Sequence, residues 1–137
     1  VSLFNVFDIS GSSLSAQSVR LNTIASNLAN AEVVGSSEEA AYRGKYPVFS
    51  AAFETAQMNQ GAVGVRVDDI VESTVAPRKE YAPSHPKAND EGYIFRSNVN
   101  SVEEMANMMS ASRSYQSSIA AMNTTKQLIM RTLTLGN

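Results

Sequence analysis

Apolar residues recur in step at both ends of this chain and lose that step in between. Near the beginning, Phe7, Leu14, Leu21 and Leu28 stand seven apart, and Ile24, Ala25 and Ala31 fall three or four positions after members of that row. This spacing predicts a helix in the first 31 residues with a narrow coiled-coil-like seam. Its other faces carry Ser12, Ser13, Ser15, Gln17, Ser18, Asn22, Thr23, Ser26, Asn27 and Asn30, uncharged hydrogen-bonding residues where a solvated helix normally carries Glu and Lys. Gly35 is the expected stop.

The far end repeats the theme. Met105, Met108, Ser112, Tyr115, Ile119, Met122, Lys126, Ile129 and Leu133 alternate steps of three and four, and only Ser112 and Lys126 are polar. A second helix over 101–135 follows, with the same kind of seam. Asn100 or Ser101 suits its N-cap, and Ser101 with Glu104 forms an S-x-x-E capping box. Glu103 and Glu104 at the start and Arg131 towards the end complement the helix dipole, and Gly136 suits the stop.

Between the arms the period changes. Val65, Val67, Ile70 and Val71 within Val63 to Val75 alternate around Asp68-Asp69, which predicts a strand with a turn or bulge. Tyr46-Pro47-Val48-Phe49 and Tyr93-Ile94-Phe95-Arg96 are further short strands, and 82–92 is dense in turn formers. The expected fold is mainly α with a small β region. The N- and C-terminal helices pair as an antiparallel hairpin, with a β-hairpin or irregular module between them. The segments are an arm over 1–31, a β-rich module over 32–97 and an arm over 98–137.

Charge sharpens this division. Of 24 charged residues, 17 lie in 32–97, together with all four prolines, while 1–31 holds only Asp8 and Arg20. A helix over 101–135 is about 52 Å long, against a diameter of about 37 Å for a compact domain of this size, so an elongated monomer is expected. The faces off the seams, among them Ser117-Ser118, Ala120-Ala121 and Thr124-Thr125, are small and poor at solvating an isolated helix. They suit close packing against neighbouring subunits; the plainer reading is a monomeric helical hairpin with a sparsely decorated surface.

Composition removes most chemistry. The 137 residues include no Cys and one His, which excludes disulfides, thiolate nucleophiles and the usual zinc ligand sets. A net charge of −2 argues against binding nucleic acid or an anionic membrane through a bulk positive field. No apolar run approaches the roughly 18 residues of a membrane span. The first basic residue is Arg20, so a cleavable secretory signal is not expected. His85 reads as a loop residue, Asp68-Asp69 as a solvated turn, and Gly61-Ala62-Val63-Gly64 lacks the Lys-Ser/Thr of a phosphate loop. Asn123-Thr124-Thr125 matches a glycosylation triplet but falls mid-helix. No catalytic residue, metal site or cofactor is expected.

The stretches Asp8-Ile-Ser-Gly-Ser-Ser-Leu-Ser-Ala-Gln, Leu21-Asn22 and Ala25-Ser26-Asn27-Leu28-Ala29-Asn30-Ala31 resemble the axial proteins of the bacterial flagellum, its rod, hook and filament-junction subunits. His85-Pro86-x-Ala88, Gly92-Tyr93, Asn98-Val99-Asn100, Glu103-Glu104-Met105, Met109 to Gln116, Lys126 to Leu135 and Tyr42-Arg43-Gly44-Lys45 narrow the resemblance to proximal-rod subunits. Val33 stands where that pattern has Thr, and Ser97 and Ser101 where Pro is common. The resemblance implies a structural subunit of the periplasmic rod, which transmits torque and surrounds the export channel. Its implied partners are other proximal and distal rod subunits, the rod-to-ring junction protein, copies of itself and the flagellar type III export apparatus, which it crosses uncleaved. No nucleic acid and no small-molecule substrate is implied. An alternative from another class is a helical-hairpin adaptor or export chaperone working as a small oligomer.

Candidate residues divide into two sets. The intramolecular seam comprises Phe7, Leu14, Leu21, Ile24, Leu28, Met105, Met108, Tyr115, Ile119, Met122, Ile129 and Leu133. Asn22, Asn27, Asn30, Met109, Arg113, Gln116 and Met130 are expected at contacts between subunits. For Asn27 and Asn30 the competing role is to end the first helix. Flexible thioethers beside the seam adapt to unequal neighbours.

Overall fold

The computed structural model describes residues 2–52 and 63–136; Gly61 and Ala62 of the glycine-containing run lie outside them. The chain order is α1 (Leu3–Asn30), β1 (Val34–Gly35), β2 (Lys45–Ala51), β3 (Val65–Glu72), β4 (Arg78–Tyr81), β5 (Tyr93–Arg96) and α2 (Ser101–Leu135). Two long helices with a small antiparallel β region between them in sequence make the chain mainly α, as the heptad rows predict.

Local chemistry sets the helix limits. The Asn100 side-chain oxygen accepts from the N–H groups of Val102 (3.1 Å) and Glu103 (3.3 Å), so Asn100 is the N-cap of α2. The expected Ser101–Glu104 capping box is not formed. With Asn100 as cap, Glu104 occupies the fourth helical position, and its carboxylate turns to Asn27 instead. The last turn of α2 holds no basic residue, because Arg131 falls just short of it. α1 ends at Asn30, closed by Ala31 and Val33 N–H groups donating back to Leu28 and Asn30 carbonyls. Gly35 is therefore not its stop. It lies in β1, where an added Cβ would stand 2.7 Å from the Ala41 nitrogen, so backbone approaches backbone too closely for a side chain.

The described residues form two compact units. One draws on Val1–Leu21, Pro47–Asp69 and Ser110–Asn137, the other on Asn22–Tyr46 and Ile70–Met109. The second contains a three-stranded antiparallel sheet in the order β1-β5-β4, with Val34 opposite Arg96 and Tyr81 opposite Tyr93. Its core is Ile94, Val99, Ile24, Ala31 and Ala41. β4 and β1 were not foreseen from hydropathy. β4 is Arg-Lys-Glu-Tyr, exposed throughout, and cross-strand side chains hold it: Lys79 Nζ sits 4.0 Å over the Tyr93 ring, Tyr81 meets Tyr93 edge-on at 5.1 Å, and Glu80 pairs with Arg96. Gly92, at φ +82°, closes the loop between β4 and β5.

β2 and β3 pair as a second, two-stranded sheet. The Ala52 N–H donates to the Gly64 carbonyl and the Ser73 N–H to the Gly44 carbonyl, which sets the strands antiparallel. Eight steps from 44 to 52 face nine from 64 to 73. β3 thus carries one extra residue, the content of a β-bulge.

The first unit buries mainly small side chains, Ser10, Ala16, Ala111 and Thr125. Ser12 Oγ accepts from the Val65 N–H at 3.1 Å and donates to the Ile9 carbonyl at 2.8 Å, tying β3 to α1.

Candidate assembly surface

Within each unit the helices meet through specific pairs. In the first, an added Cβ on Gly11 would lie 3.5 Å from Met122 Cε, and Ser13 Oγ is 3.0 Å from Ser118 Oγ. The α2 number falls as the α1 number rises, so the two segments run antiparallel. Small residues allow this approach, and the serine pair satisfies two hydroxyls inside the contact. Thr125 is buried yet satisfied, because its hydroxyl donates to the Ala121 carbonyl one turn back.

In the second unit the meeting point is polar. Asn27 is 0% exposed and uses every hydrogen-bonding group of its amide. Its oxygen accepts from Tyr42 Oη and the Lys45 N–H, both at 2.9 Å, while its Nδ2 donates to the Lys45 carbonyl (2.9 Å) and to Glu104 Oε2 (3.2 Å). Nearby, Asn98 accepts from the Gly44 N–H at 2.8 Å and donates to the Val75 carbonyl. Segment 42–45 is thus fastened by two asparagines. Burial, reinforced by the charges of Glu104 and Glu103, pushes the Tyr46 phenol above its ordinary pKa.

The expected seam residues separate on this geometry. On α1, Ile24 is buried and Phe7, Leu14, Leu21 and Leu28 are half-buried, alternating with Ser10, Gln17 and Ala31, whereas Ala25 faces outward. On α2, Met108, Tyr115, Met122 and Ile129 are half-buried. Met105 (57% exposed), Ile119 (37%) and Leu133 (62%) are not on the inner face. The positions turned inward between the shared ones are Glu104, Ala111, Ser118 and Thr125, one residue earlier along the helix. An apolarity criterion selects the larger side chains. The contact selects small ones that admit the partner helix, and one residue is a rotation of about 100°.

The candidate contact residues separate too. Asn22, Met109, Arg113, Gln116 and Met130 are exposed. Asn27 is not available to another subunit, because burial and its four bonds commit it to its own chain; this corrects the expectation for it. Asn30 is half-buried and its Nδ2 donates to the Ser26 carbonyl. On α2, Val102, Met105 and Met109 stand exposed in the second unit, and Ile119, Leu128, Met130, Leu133 and Leu135 in the first. Among the described residues there is no group of three His, Cys, Asp or Glu able to hold a metal ion, and no helix long and apolar enough to cross a membrane. His85 Nδ1 accepts the Lys87 N–H within its loop.

Comparison with known proteins meets this geometry at both helices. Residues 7–35, covering most of α1 and all of β1, match the family described as flagella basal body rod protein. Residues 90–135, covering β5 and α2, match the family described as the C-terminal part of flagellar basal body rod FlgEFG proteins. The flagellar basal-body rod protein FlgC of Yersinia enterocolitica is 48% identical over 136 residues, spanning 99% of either chain. This chain belongs to the FlgC family of flagellar basal-body rod proteins. The FlgC proteins of Salmonella typhimurium (46% identical, 99% of each chain) and of Buchnera aphidicola from Acyrthosiphon pisum (42%, 98% of each) are similar over the same length. β2, β3 and β4 lie between the two matched segments, so in this FlgC-family chain the family descriptions fall on the helices and the strands next to them.

Proposed function

We propose that this protein is a structural subunit of the flagellar basal-body rod, with no enzymatic activity, and that it occupies the proximal rod. It assembles helically with copies of itself and with other proximal and distal rod proteins, forming the drive shaft that transmits torque and encloses the export channel. Full-length similarity to FlgC proteins carries the reading. The exposed residues of α2 support it, since Met105, Met109, Ile119, Met130 and Leu133 are apolar side chains with no cover in the single chain.

In this reading the arms 1–31 and 98–137 make the contacts between subunits. Asn22, Asn30, Met109, Arg113, Gln116 and Met130 are the proposed contact residues, joined by Met105, Ile119 and Leu133. The rod lies in the periplasm, reached through the flagellar type III export apparatus. Electron microscopy of basal bodies from a strain lacking this chain tests the function. Rods should be absent; complete rods in that strain refute the proposal.

A further inference from the structure

The feature that a structural role leaves unexplained is Glu104. Its side chain is 2% exposed, and its hydrogen-bond partners are two neutral amides, Asn27 Nδ2 at 3.2 Å and Asn107 Nδ2 at 3.4 Å. No cation pairs with it among the described residues: Lys45 Nζ lies towards Glu72 at 4.0 Å, and Arg43 pairs with Glu38. A buried carboxylate without a cation is held at a cost, because amide donors recover only part of the lost hydration. A glutamine in the same place would keep the shape and the bond to Asn27 and remove the charge.

We propose that Glu104 and Asn27 form a latch made weak by its charge. Asn27 is the positioning residue, holding Tyr42 and both backbone groups of Lys45, and Glu104 is the strained member through which the first turn of α2 lets go. The latch joins three segments distant in sequence: the end of α1, the 42–45 segment and the start of α2. Opening it releases the Lys45 N–H and carbonyl, and the Tyr42 hydroxyl, in one step. The fold then has a built-in site of local opening that a neutral side chain would close, and the opening belongs to the second unit by itself.

Amide hydrogen exchange on the full-length chain reads this directly at the Lys45 N–H, which is bonded to Asn27. Glu104→Gln should slow that exchange about tenfold, the size expected when a buried unpaired charge is removed with its geometry kept. Asn27→Asp sets two carboxylates against each other and should abolish protection at Lys45. The double change Asn27→Asp with Glu104→Gln again sets one carboxylate against one amide and should recover part of the lost protection, the Lys45 carbonyl still lacking the donor that Asn27 Nδ2 supplies. A purely structural role for either side chain predicts additive losses without recovery. Exchange at or above the wild-type rate in Glu104→Gln overturns the proposal, as does failure of that variant to fold, or a double variant as unprotected as Asn27→Asp alone.

Discussion

The two units stabilise themselves differently. The one built from 22–46 and 70–109 has large apolar groups at its centre, Ile94 and Val99, and seals the remainder with Asn27, Asn98 and Ser97. The one containing 110–137 buries alanine, serine and threonine and leaves Leu128, Met130, Leu133 and Leu135 exposed. Burial of apolar area is the main favourable term in folding. One unit therefore centres on large buried apolar groups and the other on small ones, while both leave large apolar side chains exposed, among them Met105 and Met109 in the one and Met130 and Leu133 in the other.

Substitutions can break the contrast, and the largest effect belongs in the first of these cores. Ile94→Ala removes a side chain that is 1% exposed and should destabilise the chain by about 2–5 kcal/mol. Leu133→Ala should fall within about 0.5 kcal/mol in the isolated chain. Urea midpoints of the two variants check this, and near-equal losses would remove the distinction. Next comes Ala111→Leu, where a 0% exposed alanine lies in the inner row of α2. Overpacking there should cost about 1–3 kcal/mol, more than Ile119→Ala on the outward side, and thermal melts of both variants decide it. Truncating Ser13 and Ser118 together should cost about 0.5–1.5 kcal/mol, less than the sum of the single changes, since each single change strands the other hydroxyl. A double-mutant cycle measures it.

The smallest effect depends on pH. The Arg96 guanidinium bonded to Glu80 holds that carboxyl below its ordinary value. A depressed carboxylate pKa stabilises the fold above the ordinary carboxylate range and stops doing so as pH falls through the lowered value. The pair is exposed, so the gain is small and screened by salt. Glu80→Gln should lower the urea midpoint slightly at neutral pH and leave it unchanged in strong acid.

Helices were the most legible part of this sequence, because heptad steps report a 3.6-residue period even when the seam is polar. Ser101–Leu135 and Tyr93–Arg96 are found where spacing and β-branched or aromatic residues point. β4 was illegible for the opposite reason: Arg78-Lys79-Glu80-Tyr81 shows no alternation, and its strand exists through what Phe95, Tyr93 and Arg96 offer across the sheet. The rotational phase of α2 was hidden too. Nothing in a list of apolar positions distinguishes Met105 from Glu104 as the residue turned inward, until Asn27 is known to lie opposite. Asn27 itself stood out in the sequence, but its four bonds go to three residues lying 15 to 77 positions away and only the fold assembles them. A buried asparagine and an exposed one look alike until then.

Met108, Tyr115, Met122 and Ile129 form a row bordered on one side by Glu104, Ala111, Ser118 and Thr125 and on the other by Met105, Ser112, Ile119 and Lys126. Genetically, such a row is read twice. On the contacts proposed above, a lesion at Tyr115 or Met122 disturbs both the packing of α1 on α2 and the outer side, so second-site suppressors should arise in two classes, within this gene and in genes for its neighbours. Lesions at Ala111 should draw the first class only, and lesions at Ile119 the second.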